Sequence, residues 1–436
     1  MANSANAKES KEEIFRKMEE TAHRLMEEYE FVDATTPTIA RGYTRAHGDY
    51  AFRVVPTGEP IPDATFVSAV YSTQPQGCDP AAGTAECILH SSAAKRELLA
   101  YPGYPTPLPH APGGAGAAQA CPPYRIVNIP HKGLGMVAAR DLAFGEVITN
   151  ERPLLVAPQY ILLDFIRWLR APSGWENQQV ALFETQRFYR MAYERMRGED
   201  KVAYLQLYNA HAHDGSGPLL GVQRTNSFLM FELQGVPYCG VFKDASRMNH
   251  SCSPNTIRRI DRTSLSMQMF AARSIKAGEE ITSSYCDPLL PSAARQAKLA
   301  PYGVRCTCSG CLKPVESDKN RHRINSTKDA VPAIIQWAGS PGLPEGLLLG
   351  PSVEVLRLIE AEEQEANEVH ERVLYHLALI HDALELMGAP RPEGAGYRGK
   401  WMQLTALDRA RSFGALAKYK EDREKVRAAV LSRRRA

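Results

Sequence analysis

The sequence predicts an α+β fold, with a body of short β-strands between residues 124 and 290, a helical insert within it and an α-helical C-terminal region after it. Three observations predict this. Over 124–156 and again over 226–290, short apolar runs alternate with Gly, Pro and Asn turns. Over 157–220 the spacing becomes helical, with Ile161, Phe165 and Trp168 on one face. Farther on, Val373, Leu377, Ile380, Leu384 and Met387 recur at spacings of four and three, a stripe that a helix would bury.

In chain order, residues 7–30 read as a charged amphipathic helix with Phe15, Met18, Ala22, Leu25 and Met26 on one side, and a strand is expected over Ala64–Tyr71. The stretch 101–123 is rich in Pro, Gly and Ala, a linker composition. Strands follow at Tyr124–Ile129, Met136–Ala139 and Glu146–Asn150, then at Phe228–Glu232, Gly240–Phe242, Ser266–Ala271 and Glu280–Tyr285. Gly388-Ala-Pro390 stops the helix that carries the apolar stripe. A further helical stretch is expected from Met402 to Leu431, so the tail reads as antiparallel helix pairs without a repeat of fixed period. The expected divisions are an N-terminal region of unassigned role at 1–100, the linker at 101–123, the strand-rich domain at 124–290 with its insert at 157–220, a cysteine knuckle at 291–315 and a helical region at 316–436.

A chain of 436 residues has room for two or three domains, at about 150 residues each. Its net charge of +3 is too even to argue for a nucleic-acid partner. The basic runs Lys319–Arg323 and Arg433–Arg435 read as solvated surface. The N-terminus has no apolar stretch of signal-peptide length, and no run of about 18 apolar residues occurs, so a soluble intracellular protein without membrane contact is expected. In a reducing compartment a cluster among the nine cysteines reads as a metal site rather than as disulfides.

Three motifs carry chemistry. The first is Lys132-Gly133-Leu134-Gly135. With Ala138 it fits a loose dinucleotide fingerprint, but that reading needs a helix next, and Pro130 and Gly145 leave no room for one. What remains is a hairpin turn or a backbone that approaches a ligand closely. The second is Arg247-Met-Asn249-His250-Ser-Cys252-Ser-Pro-Asn255, which packs amides, an imidazole and a thiol into one loop. The third is Gly278-Glu-Glu-Ile-Thr-Ser-Ser-Tyr285, followed by Cys306-Thr-Cys308-Ser-Gly-Cys311. Tetrahedral zinc needs four ligands and the knuckle supplies three thiolates. His322 is poorly placed, which leaves Cys252 as the natural fourth ligand; the alternative is three reduced cysteines packed at a chain reversal.

With these motifs in this order, and with Thr225-Asn-Ser-Phe228 and Arg295, Leu299 and Tyr302-Gly303 beside them, residues 124–312 resemble the SET-domain protein-lysine methyltransferases. The helical tail and the Cys-x-Cys-x-x-Cys spacing are similar to the SMYD branch. The insert lacks that branch's MYND zinc module, and Cys78, Cys87 and Cys121 are too few and too far apart to replace it, so the chain looks more like the MYND-less SET proteins of fungi.

The resemblance implies a SET β-fold with its pseudoknot, S-adenosylmethionine as cofactor and a lysine of a histone or other protein as acceptor. It implies that Lys132, Gly133, Leu134, Gly135, Asn249, His250, Tyr285 and Tyr302 line the cofactor, with Tyr285 as the catalytic phenol beside the transferring methyl. Asn255 would pin the loop crossing. Cys252, Cys306, Cys308 and Cys311 would hold a structural zinc. The insert would form part of the peptide groove, the C-terminal helices could take protein partners, and the location would be nucleus or cytoplasm. One departure is Val304, where the family often has a Phe whose flat ring can face the adenine. Two other functions fit the same resemblance: a non-catalytic SET-fold binding or scaffold protein, which intact Asn249, His250 and Tyr285 argue against, and a SET fold acting on a small molecule.

Overall fold

A computed structural model describes residues 70–78, 83–109, 122–159, 185–186, 188–212, 216–344 and 346–434. The helix expected over 7–30, the Ile161–Trp168 face, and most of the 64–71 strand and of the linker lie outside the described residues. The described strands are β1 Val70–Gln74, β2 Ala85–Leu89, β3 Tyr124–Ile129, β4 Gly133–Ala138, β5 Val147–Glu151, β6 Leu155–Pro158, β7 Ser227–Leu233, β8 Val236–Val241, β9 Asn249–His250, β10 Thr256–Asp261, β11 Ser266–Ala271 and β12 Glu280–Ser283. The expected α+β class holds: a strand-rich body precedes a C-terminal run of helices.

The chain forms two compact units. One takes Asn150–Arg247, Arg262–Met267 and the described residues before His110; the other takes Met248–Asp261, Gln268 onward and the described residues of Ala111–Thr149. The first unit holds a five-stranded sheet of order β1–β2–β6–β8–β7. Its core gathers Ile88, Leu155, Tyr204, Leu219 and Val241, and the helices Gly198–Leu205 and Gly217–Asn226 cover it. The insert read as helical is therefore entered by a strand, β6, because Leu155–Pro158 is buried throughout and pairs with β8.

The second unit carries every residue singled out as a site. Its four-stranded sheet has the order β3–β4–β12–β9. β3 and β4 form a hairpin whose turn needs positive φ at His131 (63°) and Gly133 (74°). β12 pairs antiparallel with β4 on one side and parallel with β9 on the other. A parallel neighbour requires a long return path; here the chain makes it through β10 and β11, and Asn255 fastens the crossing. The Asn255 amide donates to Glu280 O at 2.9 Å, and its Oδ1 accepts the Thr282 N–H at 2.8 Å. The strand expected to reach Tyr285 stops at Ser283, because the Tyr285 N–H goes to the His250 imidazole instead of to a neighbouring strand.

In the helical region, Val373, Leu377, Ile380 and Leu384 of the helix Glu368–Met387 are buried in one core, with Met387 packed at its edge. Asn367 caps the start of this helix and Gly388, at φ 90°, ends it. The helical stretch expected from about Met402 to Leu431 is made by two helices, Glu393–Ala406 and Arg409–Arg433. The break has a local cause: the Asp408 carboxylate accepts the Arg411 N–H at 3.1 Å and starts a new helix.

Candidate functional site

β9 is only two residues long, and each does something different. Asn249 turns its amide toward the β4 side of the sheet, where Nδ2 donates to Glu280 Oε1 at 3.1 Å. The other oxygen of Glu280 takes the Lys132 ammonium at 2.5 Å. Glu280 thus joins the Lys132 turn to Asn249. A β-carbon at Gly135 would collide with the side chains of Ile129 and Asn249, whereas one at Gly133 would meet nothing. The two glycines therefore serve different ends: Gly133 permits the turn, and Gly135 lets Asn249 lie against β4. Leu134, between them, is half exposed and faces away from this contact.

His250 is buried, and both of its ring nitrogens are used. Nδ1 accepts the Tyr285 backbone N–H at 3.0 Å, and Nε2 lies 3.2 Å from Cys252 Sγ. Burial lowers the imidazole pKa to about 4, so the ring is neutral at physiological pH. With Nδ1 accepting, its one proton sits on Nε2 and points at the sulfur.

The Tyr285 ring lies between those of His250 and Tyr302, with both centroid separations at 5.3 Å. Its hydroxyl donates to Met248 O at 2.8 Å. Burial pushes the phenol well above its ordinary pKa, so it keeps its proton. It can orient a neighbouring group through its lone pairs, but it is a poor proton acceptor.

Behind this loop, one sulfur each from Cys252, Cys306, Cys308 and Cys311 falls within a 4.8 Å cluster. Cys252 is buried, and the other three are partly exposed. Tetrahedral zinc with Zn–S of about 2.3 Å needs sulfurs about 3.8 Å apart; Cys311 and Cys252 are 3.6 Å apart. Hydrogen bonds with Cys286, Cys306 and Cys308 push the Cys252 thiol up, and those with Cys252 and Cys306 favour the thiolate at Cys308. A bound dication would let all four ionise, so the donor set fits zinc. The structure brings Cys252 to a knuckle more than 50 residues downstream.

Several contributors are not among the site residues expected from the sequence. Glu280 lay inside the third motif, but nothing there said which of its two acids would meet Asn249. Arg295, fully buried, directs Nη2 at Cys311 Sγ (3.7 Å) and pairs with Asp318 at 3.3 Å. Arg321 lies in the basic run expected to be solvated surface and is instead fully buried. Val304 is partly exposed, beyond the left-handed Gly303 that ends the Ala300–Tyr302 turn.

Comparison with known proteins gives a match to the SET domain family over residues 133–286. Histone-lysine N-methyltransferase set5 of Schizosaccharomyces pombe is 32% identical over 189 residues, which is 43% of this chain and 50% of that protein. N-lysine methyltransferase SMYD2 of Gallus gallus is 36% identical over 90 residues, 20% of each chain. The match therefore spans half the length of the first relative and less of the second. Among solved structures, the SET domain of LSMT bound to lysine and AdoHcy aligns over 72% of this chain and 85% of that one, at 16% identity and a TM-score of 0.24, too loose a fit to argue from. No described helix is long and apolar enough to cross a membrane. The chain thus carries a SET-domain strand region with a four-cysteine cluster, followed by a helical region, and it is related to fungal and SMYD-type histone-lysine methyltransferases.

Proposed function

We propose that the protein is an S-adenosylmethionine-dependent protein-lysine N-methyltransferase acting on a histone or another protein. The observation that carries this reading is the way β9 and β12 are locked together. The strand pairing, the Tyr285-to-His250 bond and the Tyr285-to-Met248 bond fix one amide, one imidazole and one phenol around the same short loop. On this reading the catalytic body is 124–290 and the knuckle is 291–315.

When bound, S-adenosylmethionine supplies a methyl group made electrophilic by its sulfonium. Asn249 presents a side-chain oxygen whose orientation Glu280 sets, a suitable partner for the cofactor's ammonium. Lys132, Gly133, Leu134 and Gly135 offer the hairpin backbone beside it, and His250 the backbone of β9. Tyr302 gives an aromatic face next to Tyr285, close in sequence to the place where Val304 offers none. Tyr285 keeps its proton on the Met248 carbonyl, which leaves its oxygen lone pairs to hold the incoming amine in line. Alignment of this kind supplies rate by orientation rather than by proton abstraction. The lysine must arrive neutral, and a desolvated channel disfavours its ammonium form. Cys252, Cys306, Cys308 and Cys311 would hold a structural zinc that fixes the back of the loop.

The test is direct titration with S-adenosylmethionine, followed by methyl transfer from the labelled cofactor into histones and into a cell extract. Saturable binding and label in a protein band are expected. Absence of binding by folded, metal-replete protein would remove the enzyme reading and favour a binding role for the fold.

A further inference from the structure

The loop Cys252–Pro254 has no sheet partner for its carbonyls, and two arginines and an amide take them over. Cys252 O accepts Arg321 Nη1 at 2.7 Å and Gln364 Nε2 at 2.9 Å. Ser253 O and Pro254 O accept the Arg273 guanidinium at 3.5 and 3.0 Å. The Ser253 hydroxyl accepts Arg321 Nη2 at 3.0 Å and donates to Glu362 O at 2.9 Å. Arg321 also reaches Pro288 O, three residues past Tyr285, at 2.6 Å. Its guanidinium lies against Gly310 of the knuckle, where a β-carbon would collide with it.

Arg321 is itself held. Its Nε meets Glu362 Oε2 at 3.1 Å and Ser317 Oγ at 2.9 Å, and Glu362 also accepts from Ser317 and Asn320. Glu363 and Glu365 lie 3.7 and 3.8 Å from Arg273. The segment Glu362-Glu363-Gln364-Glu365 follows the helix Leu349–Ala361 and belongs to the helical region. A buried guanidinium with this many fixed acceptors is expensive to disturb, because removing it leaves a buried carboxylate and several carbonyls unpaired.

We propose that Arg321, fixed by Glu362, is a positioning residue through which the C-terminal helical region sets the geometry of the Asn249–Cys252 loop, and with it retention of the metal and affinity for the cofactor. The cofactor part rests on the function proposed above; the metal part does not. Arg321 touches neither reacting atoms nor a sulfur. It acts through the Cys252 backbone, as partners beyond the ligands of a metal commonly do.

The experiment compares the full-length protein with Arg321→Lys, Glu362→Gln and a control, Asp382→Asn. Asp382 is a buried carboxylate of the same helical region, paired with Arg398, Arg423 and Tyr419 and without a contact to the loop. For each, zinc release to a chromogenic chelator, affinity for S-adenosylmethionine by calorimetry and the melting temperature are measured. Arg321→Lys and Glu362→Gln are expected to release zinc about tenfold or more faster and to bind the cofactor about tenfold more weakly. Asp382→Asn is expected to lower the melting temperature alone. Unchanged release in Glu362→Gln, or release that follows melting temperature equally in all three variants, would overturn the proposal even if Arg321→Lys fails to fold. A wild type that binds no cofactor would refute the proposed function, and zinc release would still decide the role of Arg321.

Discussion

The Tyr285 hydroxyl donates to the Met248 carbonyl at 2.8 Å, so the end of β12 is tied to the residue that leads into β9. Burial keeps the phenol protonated and this bond uses its proton. Tyr285→Phe removes the bond and the oxygen but keeps the ring between His250 and Tyr302. The variant should fold with a loss of about 1 kcal/mol in stability. Methyl transfer should fall by about a hundredfold or more, because the amine loses the group that aligns it. Paired assays with labelled cofactor, at matched circular dichroism, check both parts. Equal rates would take Tyr285 out of the mechanism.

Glu280 joins Lys132 and Asn249, and the two contacts can be separated. The Lys132 pair is partly exposed and contributes at most about 1 kcal/mol to stability. Glu280→Gln weakens that pair but still offers Asn249 an acceptor oxygen. Glu280→Ala leaves the Asn249 amide free to rotate. Calorimetric titration should show the Ala variant binding S-adenosylmethionine about tenfold more weakly than wild type, with the Gln variant close to wild type. Equal losses in both variants would mean that the charge on Glu280, and not the orientation of Asn249, is what matters.

Legibility in the sequence followed the range of the interactions. The strands Tyr124–Ile129 and Ser266–Ala271 were readable to the residue, because alternation and flanking turns are local signals. β10, Thr256–Asp261, was not, since Arg258, Arg259 and Asp261 blur its alternation. The break at Asp408 inside the helical stretch expected from about Met402 is not legible, because an aspartate there reads as surface charge until its capping bond is seen. The site motifs were readable as patterns. Their partners were not: Arg321 and Glu362 are 41 positions apart, and no local feature of a basic run says that its middle residue will be buried by a distant acid. Cys252 is legible as a candidate because three thiolates need a fourth.

The four-cysteine cluster gives a metal prediction. Purified protein should contain about one zinc per chain. Cys308→Ser removes one of the four thiols of the cluster and should lower metal content severely. Because His250 bonds both Cys252 Sγ and the Tyr285 N–H, metal loss should also disturb the surroundings of Tyr285. Elemental analysis, together with tyrosine fluorescence before and after chelation, checks this. A folded wild type without metal would remove the zinc assignment.

The pH dependence of transfer separates the acceptor amine from the phenol. A lysine amine has a pKa of about 10.4 in water, so at neutral pH it is almost wholly protonated and cannot attack. Raising the pH should increase kcat by up to about tenfold per unit until the bound amine, whose pKa the desolvated site lowers, is neutral. The Tyr285 phenol titrates well above its usual range because it is buried, so its protonated form persists through that whole rise. The profile should therefore climb and level off without an alkaline fall between about pH 7 and about pH 9.5. If Tyr285 were the base, Tyr285→Phe would change the shape of the profile; on the present geometry it lowers the rate at every pH and leaves the shape unchanged. A shifted or flattened profile in Tyr285→Phe would show that the phenol exchanges a proton during the reaction.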